Sequence, residues 1–74
     1  MDNNQIEQKV RNFLLDEMMK DEVKNISNDD ILMLDSIEQV EMRVFLEEEF
    51  SIVLDNQTEP FTTITQIIQI IHNN

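Results

Sequence analysis

Apolar residues recur three and four positions apart in separate stretches of this chain, the spacing of amphipathic helices and not of half-buried strands. That period points to an all-α fold. Ile6, Val10, Phe13, Leu14 and Met18 predict a first helix from about Asn4 to Met19. Asp35 followed by Glu38 is an acidic form of the capping box, and it opens a second helix that runs unbroken to Phe50. Ile64, Ile67, Ile68 and Ile71 predict a last helix from about Ile64 to Ile71, begun by Thr63 with Gln66 at capping-box spacing or by Thr62. Isoleucine favours strands, so a strand competes here, but apolar positions three and four apart do not alternate as a strand requires.

The connections carry their own signals. Residues 20–34 lose the period, and Asn25, Ser27, Asn28, Asp29 and Asp30 mark a long loop. Its apolar residues Val23, Ile26, Ile31, Leu32 and Leu34 predict that it packs down onto the core. Residues 51–61 form a second connection, where Asp55, Asn56 and Pro60 limit any third helix to a turn or so. Seventy-four residues make one domain, residues 1–74, because a chain this short cannot divide its core. With 41% hydrophobic residues the chain can fold, and with no cysteine and no Cys/His cluster its stability must come from helix packing.

Sixteen acidic residues against five basic ones give a formal charge of -11, which repels phosphate backbones and anionic lipid head groups. Nucleic acid and membranes are therefore poor partners, and proteins with basic patches are good ones. Association with such partners should weaken as salt rises. The carboxylates between residues 29 and 49 should repel one another, so divalent cations are expected to stabilise the fold. Neither a signal-type stretch nor a membrane-length apolar run is present, which with the lack of cysteine predicts a cytoplasmic protein. On that reading Asn25-Ile26-Ser27 and Asn56-Gln57-Thr58 match the glycosylation sequon by chance.

The second helix is the most informative segment. At about 100° per residue Met42, Leu46 and Phe50 share one narrow stripe, while Ile37, Val40 and Val44 gather more than about 90° away. One stripe suffices for a core. The second, flanked by Glu41, Glu47 and Glu48, has the character of a docking patch with an acidic rim. A helix clamped between neighbours would instead bury both, and Glu47-Glu48-Glu49 alone would ordinarily be a solvated face. Phe45 falls cleanly on neither stripe. Ser36 stands at the first turn, where a serine is ordinarily a cap or a tolerated residue. Asp35 can serve as the cap, however, which frees the Ser36 hydroxyl at a helix end whose unpaired amides and dipole favour an attached phosphodiester.

Leu34-Asp35-Ser36-Ile37, then Val40-Glu41 and Leu46-Glu47-Glu48-Glu49-Phe50, resembles the acyl carrier protein family, with its Asp-Ser-Leu motif opening a helix that ends in an acidic run and Phe. Ile6-Glu7-Gln8-Lys9-Val10-Arg11 is similar to the family's opening helix, and Phe61-Thr62-Thr63-Ile64 to its entry into the last one, so nearly the whole chain is covered. The resemblance implies a small four-helix bundle with a long first loop and a short or vestigial third helix. It implies that Ser36 receives 4'-phosphopantetheine from coenzyme A through a phosphopantetheinyl transferase, with Asp35 helping to position the serine. The arm's thiol would carry acyl groups as thioesters. Ile37, Val40 and Val44 with Glu38, Glu41, Glu47 and Glu48 would meet basic patches on an acyltransferase, a ketosynthase or an acyl-activating enzyme, and the chain would act as a monomer. Departures from the family pattern are Met33 and Ser51 where glycine is common, Arg43 in the recognition helix, and the bulky Ile67, Ile68, Ile70 and Ile71.

The function expected is thus a discrete acyl carrier for fatty acid, polyketide or related synthesis. Two alternatives stand beside it: a peptidyl or aminoacyl carrier, as in D-alanyl transfer, and an unmodified acidic adaptor that binds a basic partner through Ile37, Val40 and Val44. An enzyme is the least expected class. His72, the single histidine, stands near the end of the chain, and there is no cysteine nucleophile, glycine-rich phosphate loop or EF-hand loop.

Overall fold

In the computed structural model, which describes residues 2–74, three α-helices and one 3-10 turn enclose a single core. Helix α1 spans Asn3–Asp16, and a 3-10 helix follows at Asp21–Asn25; α2 spans Ser36–Phe50 and α3 Ile64–His72. No strand occurs among the described residues, so the three-and-four spacing of the isoleucines prevails over their strand preference in α3.

Each α-helix opens on a side-chain cap. Asp2 and Gln5 form a capping box at α1, the Asp2 carboxylate accepting the Gln5 N–H at 2.8 Å and Gln5 Oε1 accepting the Asp2 N–H at 3.1 Å. At α2, Asp35 Oδ1 accepts the Glu38 N–H at 2.8 Å and Glu38 Oε1 accepts the Asp35 N–H at 3.0 Å, as the sequence predicts. Thr63 caps α3 through the Gln66 N–H at 3.0 Å, while Gln66 Oε1 accepts the Thr62 N–H at 2.6 Å. Each such cap contributes about 1 kcal/mol.

Helix α1 starts one residue before the expected Asn4 and stops at Asp16, short of the expected Met19. The cause is a reversal: Met19 takes a left-handed backbone at φ 55°, and the Lys20 N–H folds back to the Leu14 carbonyl at 2.9 Å. The chain then enters the 3-10 helix inside the stretch read as loop, driving Val23 into the core at 1% exposure. Leu32 is buried beside it, and Ile26 and Leu34 are half-buried; Ile31, expected to anchor the loop, faces solvent.

No α-helix lies between Phe50 and Ile64. The expected four-helix bundle is therefore three α-helices with a 3-10 turn. Residues 51–63 instead run as turns and extended chain, held by burial of Leu54 and Phe61 and by α2 side chains that bond their backbone. Ser51 turns the chain out of α2 at φ 54°, ψ 46°, its N–H and that of Ile52 both reaching the Glu47 carbonyl. The core gathers Ile6, Val10 and Leu14 of α1, Met42 and Leu46 of α2, and Ile64, Ile67 and Ile68 of α3; Ile71 is only partly covered.

One polar hub fixes the long loop. Arg11 donates to Glu7 Oε2 at 2.9 Å, to the Val23 carbonyl at 2.7 Å, to the Ile26 carbonyl at 3.0 Å and to Asn28 Oδ1 at 2.8 Å, while Asn28 Nδ2 returns to Glu7 Oε1 at 3.0 Å. The guanidinium thus takes up carbonyls that the irregular chain could not pair within itself.

Candidate functional site around Ser36

Ser36 is the first residue of α2 and is exposed. Asp35 and Glu38 fill the cap between them, so the serine hydroxyl takes no part in it. The first N–H groups of a helix have no intrahelical acceptor, and the positive end of the dipole lies here, which suits a negatively charged group on the serine oxygen. Two nearby carboxylates oppose this, but each accepts a backbone N–H, and Lys20 Nζ sits 3.0 Å from Glu38 Oε2. Lys20 is a member of the site that helical periodicity could not reveal, because it approaches from the turn after α1.

The two stripes of α2 have opposite fates. Met42 and Leu46 are completely buried, whereas Ile37, Val40 and Val44 are 69%, 62% and 46% exposed. The alternative of a helix buried on both sides is thereby removed. Glu41 and Glu48 are exposed along the same side. Glu47 is different: its Oε2 accepts the Leu54 N–H at 2.9 Å, so it serves the turn after α2. Glu38 is likewise committed, to the capping box and to Lys20. Of the four glutamates expected to rim the patch, Glu41 and Glu48 stand free of such structural bonds.

The opposite flank of α2 meets the 51–63 segment. Gln39 Nε2 donates to the Phe61 carbonyl at 2.9 Å and its Oε1 accepts the Phe61 N–H at 2.7 Å. Arg43 Nη2 donates to the Gln57 carbonyl at 2.7 Å. The positive charge of Arg43 is therefore turned toward the loop. Phe45, which fitted neither stripe, stacks on Phe13 of α1 with ring centroids 4.1 Å apart, and Phe50 meets it edge-on at 6.3 Å.

Beside the approach to Ser36 lies an apolar cleft of about 40 Å³ lined by Leu14, Val23, Ile26, Leu32, Met33 and Leu34 among others. It has room for a few solvent-sized groups and not for a long chain unless its walls move. Met33, three residues before Ser36, is 79% exposed. No group of three or more His, Asp or Glu side chains is placed to hold a metal ion among the described residues. Among the described residues no helix is long and apolar enough to cross a membrane. No protein-family model matches the chain, and no solved structure matches it.

Proposed function

We propose that this chain is a carrier protein on which Ser36 bears a 4'-phosphopantetheine arm. The observation that carries the reading is the exposed Ser36 hydroxyl at the mouth of α2, relieved of capping by Asp35 and followed by an exposed stripe of Ile37, Val40 and Val44. The motif resemblance supplies the identity of the arm. In the loading step Ser36 Oγ bonds to the β-phosphorus of coenzyme A, the P–O bond to the α-phosphate breaks, and adenosine 3',5'-bisphosphate leaves. The hydroxyl proton passes to a base on the transferase. The chain itself makes no bond in later steps: the arm's thiol holds the acyl group, and Ile37, Val40, Val44, Glu41 and Glu48 meet the partner enzyme. We read the architecture as an acyl-carrier bundle whose third helix is replaced by extended chain, working as a cytoplasmic monomer.

The acidic character of α2 favours acyl groups over aminoacyl ones. Loading by an adenylating enzyme with an amino acid would reverse that choice. The unmodified adaptor draws support from the same exposed stripe, which needs no arm to bind a basic partner. Intact mass after incubation with coenzyme A and a promiscuous phosphopantetheinyl transferase separates the readings. A gain equal to the arm, absent in Ser36→Ala, is expected; no gain, or a gain that persists in Ser36→Ala, sinks the carrier reading.

A further inference from the structure

A groove of about 390 Å³ runs between α1 and α2, lined by Lys9, Asn12, Phe13, Asp16, Glu17, Phe45 and Glu49. Phe45 follows Ser36 by nine residues, about half a circle round the helix, so this groove lies on the far flank from the Ser36 mouth. Its floor includes the stacked pair Phe13 and Phe45, both half-buried. Three carboxylates stand along it. Lys9 is spent on Glu49 at 2.6 Å, while the ion pairs among the described residues leave out Asp16 and Glu17. Those two residues end α1, whose last turn holds no basic residue, so the negative end of its dipole adds to their charge.

Two uncompensated carboxylates and a helix C-terminus favour a cation, and the outer face of a stacked ring, where the quadrupole is negative, favours a flat one most. A guanidinium lies along an aromatic ring while its fork donates to carboxylates, which an ammonium cannot do at once. We infer that this groove is a second docking surface, taking an arginine-bearing segment of a partner protein. It is separate from the Ile37/Val40/Val44 stripe and does not depend on Ser36 being modified. A partner seated here leaves the Ser36 mouth open to another.

The test is a titration of the isotope-labelled full chain, followed by amide shifts at physiological salt, with a short arginine peptide and with its lysine counterpart of equal charge. Saturable shifts at residues 13–17 and 45–49 are expected, with the arginine peptide roughly three- to ten-fold tighter. The double variant Asp16→Asn/Glu17→Gln should lose several-fold of that affinity. It should also remain folded, since removing anions from a helix C-terminus favours the helix. Equal affinity for the two peptides, shifts centred on residues 37–44, indifference to the double variant, or no saturable shift would each overturn the inference.

Discussion

Gln39 holds Phe61 by both of its backbone groups, donating to the carbonyl and accepting the N–H across 22 residues of sequence. The side chain does for the 51–63 segment what a neighbouring strand would do in a sheet. With Phe61 only 4% exposed, water cannot readily take over the two bonds. Gln39→Ala should lower stability by about 1 to 3 kcal/mol. Urea unfolding measures it, and a loss within error would show that the clamp is idle.

Ser51 leaves α2 in a left-handed conformation that costs a residue with a Cβ about 1 kcal/mol. Ser51→Gly relieves this and should raise the urea midpoint at unchanged slope, by about 0.5 to 1 kcal/mol in stability. A lower midpoint would mean that the serine side chain contributes something the backbone geometry does not reveal.

Acid should weaken the hub on α1 at Glu7. The Asn28 amide first, and then Arg11, hold the Glu7 carboxyl below its ordinary value of 4.5. Because the folded-state value is depressed, the stabilisation is fully present above about 4.5 and is lost as pH falls through the lower folded value. Wild type should therefore exceed Glu7→Gln in stability at neutral pH, with the difference shrinking below that range. A gap that stays constant from neutral to strongly acidic pH would remove Glu7 from the account.

The stripes of α2 should respond to substitution in opposite ways. Met42→Ala should cost about 2 to 5 kcal/mol, because it opens a cavity in a completely covered site. Ile37→Ser and Val40→Ser should leave stability within about 0.5 kcal/mol while weakening any partner that uses the patch. Thermal unfolding of the three variants decides this. Comparable losses in all of them would mean that the patch is covered.

Much of this arrangement was legible in local pattern. The bounds of the second helix follow from Asp35, Glu38 and the apolar spacing, all short-range signals, whereas for α3 the sequence leaves Thr62 and Thr63 both open as caps and ends the helix one residue short, at Ile71. Asp2 and Gln5 have the same spacing and offered the same signal at α1. The early stop of α1 had no such signal, since it depends on Met19 adopting a left-handed backbone among helix-forming residues. Likewise the 3-10 helix is too short to show a period. Gln39, Arg11 and Glu47 bond backbone groups in other segments, so nothing in their own neighbourhood distinguishes them from solvated polar residues. The exposure of Ile37, Val40 and Val44 could be proposed from the angle between the stripes but needed the whole fold to establish, because a fourth helix could have covered them.

Helix α2 is gripped along its length by polar bonds: Lys20 to Glu38 near its start, Gln39 and Arg43 to the connecting segment, Lys9 to Glu49 near its end. Such a rail resists bending and sliding, so the backbone spacing of the side chains it displays is set before any encounter. A visiting protein would give up little freedom by ordering this surface, which leaves more of a modest contact area to appear as affinity.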